Sequence, residues 1–124
     1  MKPAINLTLL TLAIGVAPAR AIDLSCSGEM HYYKPKLIEM TVPPGAAILD
    51  LENSRITSSV GNFRITKVAD DSISFDDPKG KELVVDGTLD RVSGLMTVFW
   101  HKPEDWKQAI RYSELKCSVA KRMF

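Results

Sequence analysis

Apolar and polar side chains alternate along almost the whole chain with the period of strands. Ile22, Leu24, Cys26, Gly28, Met30 and Tyr32 recur at every second position, with Asp23, Ser25, Ser27, Glu29 and His31 between them, which predicts a strand with one buried and one wet face. After Lys34-Pro35-Lys36, Ile38, Met40 and Val42 repeat the pattern. Val42-Pro43-Pro44-Gly45 then reads as a type II turn, and Ala47, Leu49 and Leu51 as the inward set of the next strand. Asn53-Ser54 is the following turn. Ile56 to Val60 and Phe63 to Val68 form a hairpin around Gly61-Asn62, and Ile73 and Phe75 a short strand between Ala69-Asp70-Asp71 and the turn Asp76 to Gly80.

The clearest element runs from Glu82 to His101. Leu83, Val85 and Leu89 alternate with Val84, Asp86, Thr88 and Asp90, and Leu95 to Trp100 is rich in β-branched and aromatic residues. Between them, Asp90 can accept from the amides that follow, and Gly94 can take a positive φ. Pro103 to Lys107 predicts at most one helical turn. Ala109 to Val119 is the last strand, with a β-bulge expected near Ser113-Glu114, because Tyr112 otherwise falls on the opposite face from Leu115 and Cys117. Strands spaced by turn signals at about 8–12 residues define an all-β antiparallel meander of about 8 strands, a closed or nearly closed small barrel with a β-sandwich as the alternative.

The chain begins differently. Met1-Lys2, the apolar run Leu7 to Val16, Pro18 and Ala19-Arg20-Ala21 match a secretory signal peptide, being short of the about 20 apolar residues of a membrane span. Residues 1–21 are therefore expected to be removed near Ala21, leaving 22–124 as a single β domain in the periplasm or secreted, without a membrane span. With 16 Lys and Arg against 15 Asp and Glu, no electrostatic case arises for nucleic acid.

The two cysteines, Cys26 and Cys117, stand near the ends of that domain, and in an exported chain the expected state is one intramolecular disulfide. It would bring the first and last strands together, favour closure, and leave the sheet no long exposed edge. A monomer is expected.

Candidate chemistry is sparse. Asp90 and Arg91 pair a carboxylate with a guanidinium, but neighbours on a strand end point to opposite faces, so a turn cap beside a surface cation is the favoured reading. His31 and His101 lack a third and fourth ligand at metal-site spacing, and Asp70-Asp71 and Asp76-Asp77 flank a strand, at opposite ends. Neither a nucleophile elbow nor a phosphate loop occurs. No catalytic residue, metal or cofactor is assigned. Tyr32 and Trp100 suit the core, whereas Tyr33 and Trp106 fall where aromatics make contacts. Tyr33, Arg91 and Trp106 are thus the candidate binding residues of a non-enzymatic binding or inhibitor-type module, whose partner is a protein or small molecule of the cell envelope. The alternatives are a small hydrolase-like enzyme using Asp90, Arg91 and a histidine, and an envelope-structure protein.

The segment Gly87 to Gly94, Leu115-Lys116-Cys117 and the ending Lys121-Arg122-Met123-Phe124 resemble an uncharacterised group of small exported alphaproteobacterial proteins with a G-x-x-D-R-x-[ST]-G turn, two distant cysteines and an R-x-F near the terminus. The chain departs from that pattern by an extra residue between Tyr112 and Leu115. The resemblance implies a periplasmic β protein and transfers no catalytic residue. In architecture alone the chain is similar to the small periplasmic lysozyme-inhibitor barrels, without their inhibitory-loop motif. The apolar end at Met123-Phe124 is expected to fold back onto the barrel.

Overall fold

The computed structural model describes residues 21–79 and 82–121. Residues 1–20, on which the expected signal peptide falls, Gly80-Lys81 and the Arg122-Met123-Phe124 ending, expected to fold back, lie outside the described residues. Eight strands follow in order: β1 (Ala21–Tyr32), β2 (Ile38–Asp50), β3 (Arg55–Ser58), β4 (Gly61–Val68), β5 (Ser72–Asp76), β6 (Val84–Asp90), β7 (Leu95–Lys102) and β8 (Asp105–Val119). Each pairs antiparallel with the next, and β8 returns to β1, so the sheet is a closed barrel rather than a sandwich.

The inward positions of the alternation fill the barrel. Phe63, Phe75 and Trp100 form its aromatic centre, with ring centroids 4.9 Å apart for Phe63 and Phe75 and 6.5 Å for Phe63 and Trp100. Phe75 is paired with Gly87 across β5 and β6, and its ring occupies the space a side chain at Gly87 would need.

Closure runs along β1 and β8, in unbroken register from Leu24 opposite Val119 to Tyr32 opposite Arg111. Cys26 and Cys117 face each other in this ladder, both buried, with Cα atoms 4.1 Å apart and their sulfurs bonded. The disulfide therefore staples the seam. Beside it, the buried Ser113 hydroxyl donates to the Glu29 carbonyl at 3.1 Å, which satisfies an inward polar group.

Five expectations change. Val42 to Gly45 is not a turn: β2 runs through it, with one extra residue where Val42 and Gly45 oppose Gly28 and Cys26. A strand admits consecutive prolines only at a bulge or an edge, and this stretch is both. Gly61-Asn62 is not the hairpin loop either; Gly61 pairs with Ser58 and Asn62 with Thr57, and Ser59-Val60 turns the chain. There the Ser58 hydroxyl accepts from the Val60 amide at 3.3 Å and donates to the Gly61 carbonyl at 3.1 Å, closing the turn with a side chain.

Pro103 to Lys107 forms no helical turn. Pro103-Glu104 links β7 directly to β8, where Asp105 pairs with Lys102 and accepts from the Lys107 amide at 3.2 Å. The expected bulge at Ser113-Glu114 is absent too; the register shifts instead at Ile110, between Arg111 opposite Trp100 and Ala109 opposite His101, and again between Ala109 and Asp105, which opposes Lys102. Ser113, not Tyr112, takes the inward position, because its small hydroxyl can be satisfied there, and Tyr112 faces out.

Finally, closure does leave an exposed edge. β2 has 13 residues and β3 only 4, so β3 covers just Ile48 to Asp50, and the first half of β2 projects beyond it. Ile38 and Met40 keep their alternation and pair with Tyr32 and Met30 of β1, but no second strand among the described residues lies along their other side, and both are exposed.

Candidate functional site

The outer face of β1, β8 and β7 carries the concentration of side chains that a solvated face does not require. One cross-strand row reads Glu39, His31, Tyr112, Phe99 and Asp86; the next reads Thr41, Glu29, Glu114, Thr97 and Thr88. Direct opposition brings the rings together, with centroids 4.8 Å apart for Phe99 and Tyr112 and 6.0 Å for Tyr112 and His31. Tyr33 stacks parallel to His31 at 6.4 Å and extends the row past the end of β1. Tyr33, Phe99 and Tyr112 line a surface groove of about 410 Å³ with Lys107, Gln108 and Ala109. Tyr33 and Phe99 are each 40% exposed, large ring area for the outside of a barrel whose interior is packed.

Carboxylates frame the rings. Tyr112 donates its hydroxyl to Glu114 Oε1 at 2.7 Å, and His31 lies between Glu29, 3.1 Å from its Nε2, and Glu39, 3.7 Å from its Nδ1. Burial, then the bond to Glu114 and that group's charge, push the Tyr112 phenol up to about 12, so it remains a donor at any physiological pH. Glu29 and Glu114 stand directly opposite each other, an unfavourable like-charge pair that a cation on this face would relieve. Aromatic faces beside carboxylates accommodate an ammonium or guanidinium group.

The three candidate binding residues do not converge. Tyr33 belongs to the row just described. Trp106, 63% exposed, covers the buried His101 ring at 4.2 Å between centroids, further along β7 and β8. Arg91 sits in the β6–β7 turn at the opposite end of the barrel, where its Nη1 donates to the Ala69 carbonyl at 2.7 Å and its amide to the Asp71 carbonyl at 2.8 Å. It ties two turns together.

Asp90 accepts from the Val92 amide at 2.8 Å and the Ser93 amide at 3.0 Å, and Gly94 at φ +79° completes the turn, where a side chain would meet the Cys117 carbonyl. The amides of Ser93 and Val92 hold the Asp90 carboxyl below its ordinary value of 3.8. A lowered folded-state pKa gives stability that is complete above the unfolded value and lost as pH falls through the folded one. The melting temperature of Asp90→Asn should therefore fall less steeply than that of the parent when the pH is taken below about 4; parallel curves would show that the carboxylate contributes nothing to the turn.

Asp90, Arg91 and a histidine do not converge. His101 pairs with Val84 at the start of β6 and Asp90 ends that strand, about 20 Å away at ~3.4 Å per residue. His31 lies in the row of Asp86, still short of the turn. Asp70-Asp71 and Asp76-Asp77 sit at the two ends of β5, and among the described residues no three potential ligands gather at one metal position.

Sequence reading singled out Tyr33 but missed His31, Phe99 and Tyr112 as a group. The signal was present in each strand as an aromatic at the polar phase of the alternation, yet only the register joins three such positions into one row. Compared with family models, curated proteins and solved structures, the chain matches none of them.

Proposed function

We propose that this protein is an exported, non-enzymatic binding module that docks a basic segment of another cell-envelope protein on the outer face of β1, β8 and β7. The observation that carries the reading is the row Tyr33, His31, Tyr112 and Phe99 on the outside of a barrel, with Tyr33 and Phe99 exposed, His31 and Tyr112 half-buried between them, and Glu29, Glu39 and Glu114 framing it. The rings offer flat area and cation–π contact, and the carboxylates choose the sign of the partner. The disulfide suits an oxidising compartment, and the leader and the resemblance to exported proteins point to the periplasm.

Titration of the isotope-labelled, disulfide-bonded chain with an arginine-rich peptide and with a glutamate-rich peptide of equal length tests this. The basic peptide should shift the resonances of His31, Phe99 and Tyr112, weaken with salt, and bind at least about tenfold less tightly to Tyr33→Ala/Phe99→Ala, the loss of roughly 1.4 kcal/mol expected when aromatic anchors are truncated. Equal binding of both peptides, or shifts elsewhere on the barrel, would discard the reading.

A further inference from the structure

We propose that the free half of β2 is a homodimer interface, in which Ile38 to Val42 pairs antiparallel with the same segment of a second copy about a two-fold axis at Met40. The argument begins with strand lengths. The β3–β4 hairpin ends at Ser59-Val60, and Ser59 lies beside Gly45, so the hairpin reaches that level of β2 and no further. From Ile38 to Val42, β2 is paired with β1 on one side only among the described residues. Leu37 is 66% and Met40 53% exposed, and Ile38 is exposed as well. Such an edge is a template for another strand unless charge, proline or a covering element blocks it. Pro43 and Pro44 block its second half, and Ile38 to Val42 remains open apart from Glu39.

The pairing partner follows from register. Two copies related by a two-fold axis normal to the sheet keep each side chain on its own face, so the axis must pass between identical residues. Centred on Glu39, the pairing sets two carboxylates against each other; centred on Thr41, it sets Ile38 and Glu39 against Pro44 and Pro43; centred on Val42, it sets Thr41 and Met40 against the prolines. Centred on Met40, it places Ile38 against Val42, Glu39 against Thr41 and Met40 against Met40. That five-residue ladder opposes apolar to apolar, brings no like charges together and keeps both prolines outside. A strand from an unrelated protein would carry no reason for this self-complementarity. The axis also leaves the aromatic faces of the two copies on the same side of one continuous sheet.

Light scattering and sedimentation equilibrium of the disulfide-bonded chain should show a monomer–dimer equilibrium between micromolar and millimolar concentration. Met40→Lys, which sets two ammonium groups at the axis on an already exposed position, should be monomeric throughout, with a melting curve equal to the parent's at dilutions where the parent is monomeric. Met40→Cys should form an intermolecular disulfide on mild oxidation, since directly opposed Cα atoms lie at about 4.5–5.5 Å, within disulfide reach. Glu39→Cys should cross-link poorly, because its mate in this register is Thr41. A wild-type chain that stays monomeric at millimolar concentration, Met40→Lys dimerising like the parent, or cross-linking through Glu39 as readily as through Met40 would each overturn the proposal. None of these outcomes depends on the peptide titration.

Discussion

Replacing Cys26 and Cys117 together by serine should lower the stability of the domain by about 2–5 kcal/mol while leaving the far-ultraviolet spectrum of a β-barrel recognisable. The bond joins residues 91 apart in sequence and lies within the β1–β8 ladder, the one strand pair that no short turn holds together. Every other pair is a hairpin whose ends the chain keeps close. Without the bond, the unfolded chain regains the freedom of the whole loop, and closing the barrel must bring its two ends together unaided. At about 4–8 °C for each kcal/mol lost, the change is easily read in a thermal melt. The parent should also weigh about two daltons less before reduction than after, the two hydrogens lost when the bond forms. A melt unmoved by the double substitution would mean that strand pairing alone holds the seam.

The second large effect concerns Phe75 and Gly87. Phe75 is among the largest fully buried side chains, stacks on Phe63, and lies over the bare backbone of Gly87 in the facing strand. Phe75→Ala should cost about 3–5 kcal/mol through lost transfer energy and the cavity left behind. Gly87→Ala alone should also destabilise, by about 1–3 kcal/mol, because the added methyl enters the volume of the ring. In the Phe75→Ala background the same methyl enters an empty space, so its cost should vanish or change sign. Chemical denaturation of the four proteins in a double-mutant cycle measures that coupling directly. Additive costs would show that the ring and the glycine backbone do not compete for the same space.

What the sequence determined is what neighbouring residues decide among themselves. Alternation marked most of the strand residues between Ile22 and Val119, and the chemistry of Asp90 and Gly94 wrote the β6–β7 turn, whose hydrogen bonds and positive φ appear as expected. The two cysteines announced the seam because only one pairing was open to them. Local signals failed where a residue type allowed two conformations and only the neighbouring strand could choose. Pro43-Pro44-Gly45 fits a turn or an edge bulge, Gly61-Asn62 a loop or a strand start, and Pro103 to Lys107 a helical turn or a link. Tertiary structure alone decided the rest, because it sets one strand against another. Closure of β1 on β8 brought His31, from the start of the domain, beside Tyr112 and Phe99 near its end, in one outer row. The mismatch between the 13 residues of β2 and the 4 of β3 opened the edge at Ile38 to Val42, since a strand of that length has no neighbour to hydrogen-bond beyond the end of a short hairpin.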